Sequence, residues 1–400
     1  MPAGAVAPIK AFPISLLAAA GFASGAGIRL LDPLLPLVAG DFGVSVAAAS
    51  VVVAGFMLPY GLGQLITGPL GDRMGKVRVA SFALFFYALA LLACSLAVGL
   101  PMLVVLRALS GLCAGAIIPL LMAHVGDTVP YADRQATIGQ FLTGMVMAQM
   151  LTGPAAGVVG ELVGWRGAFA ALGVLALAVF LLIALRLRGA LWRTPAGGAT
   201  RGQGLYAYLN LLAHPAGRWL LIAAFFDGFC LFGATFSYVG SYLIERFGLT
   251  AGLSGVVVAG FGLGSFLYTR LSRRLVRWFG EYGLLVSGGL GLALGIGALA
   301  IVADWHVVVP IQILLGLFFY MFHGVLQARA TEVMPEARGT AVSAFALALF
   351  LGQTVGSLAF GGLLAFVDYR PAFAAVAVCT AALAVWASAG LKRIAPERER

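Results

Sequence analysis

Long apolar runs separated by short polar strings recur along the whole chain. Val46 to Thr67 holds no charged residue and Val79 to Leu106 holds none, and between them lie Gly68-Pro69-Leu70-Gly71-Asp72-Arg73-Met74-Gly75-Lys76 and a few further residues. About 20 apolar residues cross the roughly 30 Å of hydrocarbon in a bilayer, so each run predicts a membrane helix and the string a tight turn. Counting runs between charge or Pro/Gly breaks predicts twelve spans, about 13–38, 46–69, 77–99, 102–124, 137–160, 167–187, 218–243, 251–271, 282–302, 308–328, 339–365 and 371–391. The runs are continuous rather than short alternating segments, which excludes a transmembrane β-barrel.

One connection is long. Residues 188–217 carry Arg188, Arg193, Thr194-Pro195, Gly197-Gly198 and Arg201, a polar, turn-rich linker. It divides the chain into a first unit, 1–187, and a second, 218–400, with six spans each. The units resemble each other: a shift of 204 places Arg134 on Arg338, Phe141 on Phe345, Gln149 on Gln353, Gly157 on Gly361, Trp165 on Tyr369, Arg166 on Arg370 and Phe169 on Phe373. A duplicated six-helix unit predicts two pseudo-symmetric bundles with a path between them. The fold class expected is an all-α membrane protein.

Composition agrees, since only 10% of the 400 residues are charged, against about 25% in soluble domains. The net charge of +10 has a topological explanation. With the N-terminus inside, twenty Lys and Arg fall on the cytoplasmic tail and loops, and only Arg166, Arg246 and Arg370 on the opposite face. This positive-inside bias predicts both termini in the cytoplasm and leaves no need for a nucleic-acid partner. Cys94, Cys113, Cys230 and Cys379 lie singly in apolar segments and read as core filler, without metal or disulfide spacing. No cleavable signal is read at the start, because the first apolar run continues straight into a full span.

Three strings carry a resemblance. The loop string Gly68 to Lys76, the string Arg107-Ala108-Leu109-Ser110-Gly111 with Gly115, and Gly144 followed by Gly153-Pro154-Ala155-Ala156-Gly157 resemble motifs of the major facilitator superfamily. They are similar to its twelve-helix, proton-coupled drug efflux branch, over about residues 13–391. Two departures stand out. The fifth-helix motif closes on Gly157-Val158 rather than a glycine pair, and the second-half loop, Arg273 to Gly280, has lost its aspartate. The resemblance implies a multi-pass protein of the bacterial cytoplasmic membrane, monomeric and without cofactor or metal. Its partners would be protons, a small-molecule substrate and membrane lipids.

Several residues carry candidate chemistry. Asp72 is a candidate latch facing a helix N-terminus or an arginine of the second bundle, with Gly68 and Gly75 shaping the turn and Arg73, Lys76 and Arg78 anchoring it in headgroups. Gly153, Pro154 and Gly157 offer close sliding contacts and a kink in helix 5. Arg29 and Asp32 lie within helix 1 at the depth of Arg107 in helix 4; a buried acid paired with a displaceable base suits proton coupling. The plainer alternative is that Asp32-Pro33 ends helix 1 at the interface and Arg29 reaches outward. Asp227, flanked by Phe225, Phe226 and Phe229, is a second candidate proton or cation site. Its rival is an acid at a helix break by Gly228. His323, with Tyr320 and Gln327 at helical spacing, reads either as path lining or as a satisfied interior donor. Phe56, Tyr60, Met145, Gln149, Phe226 and Phe229 complete a candidate substrate cavity, though such side chains also face lipid. His124 and Asp127 read as gating or loop contacts.

No Walker sequence, HExxH or GxSxG is present, so neither an ATP-driven pump nor an enzyme of those types is expected. A secondary transporter working by alternating access remains. A metabolite site wants convergent polar groups, and with Asn210 the one asparagine the expected reading is proton-coupled efflux of small amphipathic compounds. The alternative is a proton-coupled exporter or importer of a defined metabolite, such as a sugar or amino acid.

Overall fold

The computed structural model describes residues 13–129, 131–187, 204–334 and 338–394, with the backbone alone at 66–69, 72, 131–136, 204–205, 207, 338 and 394. The described residues form helices: α1 Ile14–Arg29, α2 Leu35–Asp41, α3 Val46–Ala49, α4 Val51–Met74, α5 Lys76–Cys94, α6 Leu100–Thr128 and α7 Tyr131–Leu187. A short α8, Gly204–Ala213, precedes α9 Pro215–Asp227, a π-helical stretch Gly228–Phe236, α10 Ser237–Phe247 and α11 Ala251–Ile301. The chain ends with α12 Val308–Glu332, α13 Arg338–Leu364 and α14 Tyr369–Ile394. Nine stretches among the described residues are long and apolar enough to cross a bilayer. Two of them cross twice, because α7 breaks at Gly164 (φ 78°) and α11 at Gly280 (φ 61°). With the broken pair α1–α2 as the first span, twelve crossings result, six in each half.

The first span differs from the continuous helix expected over 13–38. Helix α1 stops at Arg29, and tight bonds follow, from Asp32 N to Arg29 O (3.2 Å) and from Leu34 N to Leu31 O (3.0 Å). Pro33 lacks an N–H and disfavours helical backbone at Asp32, so the helix breaks there and restarts at Leu35. A kink at Gly153-Pro154 is not borne by the dihedrals of α7, whose one non-helical residue is Gly164. Neighbouring helices in a membrane bundle can re-satisfy the backbone that proline frees. Within the expected linker, 188–217, residues 204–213 are helical. Its end folds as α8 because Leu211 inserts beside Met334, Ala341 and Ala344 while Leu209 and Leu212 stay exposed. Residues 188–203 lie outside the described residues.

The duplication is visible in hydrogen bonds. Arg166 Nη2 donates to the carbonyl of Ala97 at 2.9 Å, and its repeat partner Arg370 Nη2 to the carbonyl of Val302 at 2.8 Å. Trp165 packs on Phe169 as Tyr369 packs on Phe373. The halves meet along α7 against α11 and α4 against α13. Their described basic residues gather at one end, with Arg73, Lys76, Arg186, Arg218, Arg270, Arg329 and Lys392 among them; the other end is sparse in basic residues, with Arg166, Arg246 and Arg370.

The sparse end is closed between the halves. A Cβ on Gly157 would stand 2.3 Å from the Ala251 carbonyl oxygen, and one on Gly240 2.3 Å from that of Asp32, so the backbones touch where only glycine fits. Glu161 of α7 accepts a hydrogen bond from the Gly252 N–H in the first turn of α11, where the helix dipole favours a carboxylate. At the basic end, a cavity of about 550 Å³ opens between the first turns of α1 and of α7, lined by Ser15, Ala18, Phe22, Gln140, Thr143 and Met147 among others.

Candidate functional site

The break after α1 places Arg29 and Asp32 in the interior, both buried. Arg29 Nη1 stands 3.8 Å from Asp32 Oδ2, an ion pair beyond hydrogen-bonding distance. Arg29 Nε donates instead to Gln149 Oε1 of α7 at 2.7 Å. Its guanidinium lies across the interface on two rings of the second half, 4.4 Å from the Phe232 centroid and 4.2 Å from that of Phe236. Cation–π contacts of this kind strengthen when desolvated. The π-helical stretch sets those rings side by side. There the Thr235 hydroxyl donates to the Cys230 carbonyl and the Ser237 hydroxyl to the Phe232 carbonyl, each five residues back and 2.8 Å away. Such widened turns recur at functional sites.

Arg107 does not form a contact pair with Asp32. Both of its amino groups donate to the Gly27 carbonyl at 3.2 Å, and its guanidinium lies 4.0 Å over the Phe56 ring. Gly27 is in the last turn of α1, where carbonyls lose their helical donors and a basic side chain can replace them. Phe56, expected in the cavity wall, is therefore the floor beneath Arg107 and is fully buried.

In the second half, Asp227 and His323 come together. His323 Nδ1 is 2.7 Å from Asp227 Oδ2, with both side chains buried. The imidazole stacks on Phe319 (4.7 Å, 19°), which meets Phe232 at 4.8 Å. A continuous line of contacts thus runs from Asp32 through Arg29, Phe232, Phe319 and His323 to Asp227. The aromatic flank expected around Asp227 is arranged differently. The carboxylate lines a small cavity with Cys230, Leu231, Gly289, Leu292, Phe322, Thr380 and Leu383, and none of Phe225, Phe226 and Phe229 lines it. Phe226 is 37% exposed, and Phe229 packs against α13 at Gly352 and Gly356.

The remaining expected residues are spread out. Tyr60 bridges the halves, 4.6 Å from Phe350, with its hydroxyl 3.5 Å from that of Ser24. Met145 packs near Gly25. Tyr320 stacks on Tyr268 at 6.0 Å, and Gln327 is exposed, so the stripe with His323 runs from interior to surface. Gly153 and Gly157 both abut α11, and Pro154 lies in helical backbone between them. In the loop motif, Gly68 is helical, Gly75 takes the positive φ of 96° that a side chain would resist, and Arg73 is exposed. The Asp72 side chain lies outside the described residues. Lys76 turns to Asp127 at 2.6 Å rather than only outward to headgroups, pinning the loop to the end of α6.

Three features escaped the sequence reading. Glu161 lies just past the expected span 137–160. Gln312, buried on α12 with both amide atoms unpaired, shares a helical stripe with Phe319 and His323; its signal is a lone amide in an apolar helix. Cys230 Sγ stands 3.6 Å from Cys379 Sγ, both free thiols, so two cysteines that are solitary in sequence are neighbours in space.

The chain is similar to several known proteins. The family model of the Major Facilitator Superfamily matches residues 17–356. A chloramphenicol resistance protein of Streptomyces lividans is 30% identical over 365 residues, 86% of this chain and 87% of that protein. An uncharacterised MFS-type transporter of Bacillus subtilis, YceJ, is 27% identical over 340 residues, 84% of this chain and 85% of that protein. Among solved structures, a D-xylose–proton symporter superposes with a TM-score of 0.75 at 17% identity, covering 94% of this chain and 96% of that one, a likeness of fold. The chain is a multi-pass membrane protein of the major facilitator superfamily, not an enzyme but a secondary active transporter that works by alternating access between its two six-helix halves.

Proposed function

We propose that the protein is a proton-coupled transporter of a small, defined metabolite in the bacterial cytoplasmic membrane, with the basic end and both termini in the cytoplasm. The observation that carries this reading is the convergence of polar groups at the interface between the halves. Arg29, Gln149 and Asp32 meet there beside Phe232 and Phe236. A specific site needs a few placed polar groups in an apolar wall, and these come from α1, α7 and the π-helical stretch, far apart in sequence. With the basic end inside, the contacts at the sparse end close the outward face. Asp32 and Asp227 are the proton-carrying candidates, since each is a buried acid beside a displaceable basic partner. Asp72 holds the basic end in the opposite state.

Efflux of amphipathic compounds is the second reading, favoured by the similarity to a chloramphenicol resistance protein. Proteoliposomes screened with sugars, amino acids, organic acids and lipophilic drugs, with and without an imposed pH gradient, separate the two. Saturable, gradient-driven flux of one metabolite class is expected. Movement of several unrelated lipophiles and no metabolite would favour efflux, and flux indifferent to the gradient would end the coupling assignment. Cysteines introduced near Gly197 and near Val367 should label from opposite sides of the membrane.

A further inference from the structure

Among the described residues, the interior of the first half holds more basic than acidic side chains, Arg29 and Arg107 against Asp32. Buried charge in a membrane protein calls for a partner. Arg107 has the Gly27 carbonyl. Arg29 gives only its Nε–H, to Gln149, and neither of its amino groups hydrogen-bonds a described residue. Among the described residues of the second half, no acidic side chain pairs with it. The groups that face it there are the Phe232 and Phe236 rings and, nearby, the neutral Tyr320, while Asp227 is held by His323.

We propose that the amino groups of Arg29 bind the carboxylate of an organic monoanion with a flat apolar body, and that Asp32 is a tethered competitor for the same groups. This rests on the transport reading above and names its substrate class. A guanidinium offers two parallel N–H bonds that match a carboxylate, which a point charge does not. Phe232, Phe236 and Phe319 supply the wall for the flat body. The competition sets the coupling. Asp32 faces two charged groups, Arg29 and Arg107. A proton taken up by its carboxylate removes the one negative charge, frees Arg29 and leaves two cations for the incoming anion. Proton and anion therefore bind together, and one of each crossing in the same direction moves no net charge.

Three probes with one ring and different charge test this on the full-length protein in detergent at pH 7: 3-phenylpropionate, 3-phenylpropanamide and 3-phenylpropylammonium. The anion should bind at least about tenfold tighter than the amide, the increment of one buried charge-assisted pair, and the cation should not bind. Arg29→Gln should abolish the preference for the anion over the amide with the size-exclusion profile intact. Arg29→Lys, which keeps the charge but not the fork, should retain part of it and serves if the Gln variant does not fold. Asp32→Asn should move the other way, tightening the anion severalfold. Equal or reversed preference in the wild type, binding of none of the probes, or weakening of the anion by Asp32→Asn would overturn the proposal. Gradient-driven flux of some other compound in the proteoliposome screen would still leave the transport reading standing.

Discussion

His323 and Asp227 are 96 residues apart in sequence and 2.7 Å apart in space, an imidazole nitrogen against a carboxylate oxygen inside the second bundle. Neither helix alone satisfies its polar residue, and together they satisfy both. The pair also sits at the end of the aromatic line that begins on Arg29, which links the two halves through contacts rather than through a shared cavity.

His323→Ala should destabilise the protein by about 1–3 kcal/mol, because it leaves a buried carboxyl group without its hydrogen-bond partner. The double variant Asp227→Asn with His323→Ala should lose less than the sum of the two singles, since the bond between them is lost only once. Thermal unfolding in detergent of the two singles and the double measures the coupling. Additive losses would mean that the two side chains do not stabilise each other.

Arg107→Ala should loosen the end of α1. The Gly27 carbonyl loses both donors and a large buried side chain leaves a void over Phe56, with a combined cost of about 3 kcal/mol or more. Amide exchange across residues 27–34 should quicken in this variant more than in Asp32→Asn. Arg107→Lys should fall between, since an ammonium cannot present two coplanar amino groups to one carbonyl.

Gly157→Ala should open the sparse end. The added Cβ would stand 2.3 Å from a backbone oxygen of α11, which has no rotamer to yield. Spin labels at Leu162→Cys and Leu253→Cys, both exposed near that end, should report a longer distance than in the unmodified background. Glu161→Ala should shift the distribution the same way by a smaller amount, because it removes one charge-assisted bond to the start of α11 and creates no clash.

Asp304 should show a local acid response. Its carboxylate accepts the His306 N–H at 3.0 Å and faces the His306 ring, and the backbone bond first, the ring second, holds its pKa below the ordinary aspartate value. A depressed folded-state pKa means that the turn's extra stability is complete above the ordinary value, about 3.9, and is lost as pH falls through the lower folded value. The protection factor of the His306 amide, its exchange rate relative to an unstructured peptide at the same pH, should be steady at neutral pH and fall only in strong acid; Asp304→Ala should lower it throughout.

Much of the fold was legible because the bilayer imposes it. A chain whose apolar runs hold no charge has to cross as helices, and the repeat of Trp165-Arg166 as Tyr369-Arg370 announced the duplication that the matched carbonyl bonds display. Individual elements were less legible where a local signal met a tertiary one. Pro33 broke its span, and Pro154 left helical dihedrals in place because the surrounding helices tolerate it. The helix after residue 203 was not legible in the linker, because it rests on Leu211 packing beside Met334, Ala341 and Ala344.

The sequence alone determined the number of crossings, the division into halves and the identity of the buried charges, because hydropathy and charge are properties of single positions. Only the tertiary structure decided which charge meets which. Arg29 turned to Gln149 and to two rings of the other half, Arg107 to a carbonyl, and Asp227 to a histidine, since helices that pack at fixed depth and rotation choose partners across hundreds of residues. No periodicity in one strand of sequence encodes that rotation, and it is the rotation that leaves the two amino groups of Arg29 without a hydrogen bond to a described residue, with Asp32 3.8 Å from one of them.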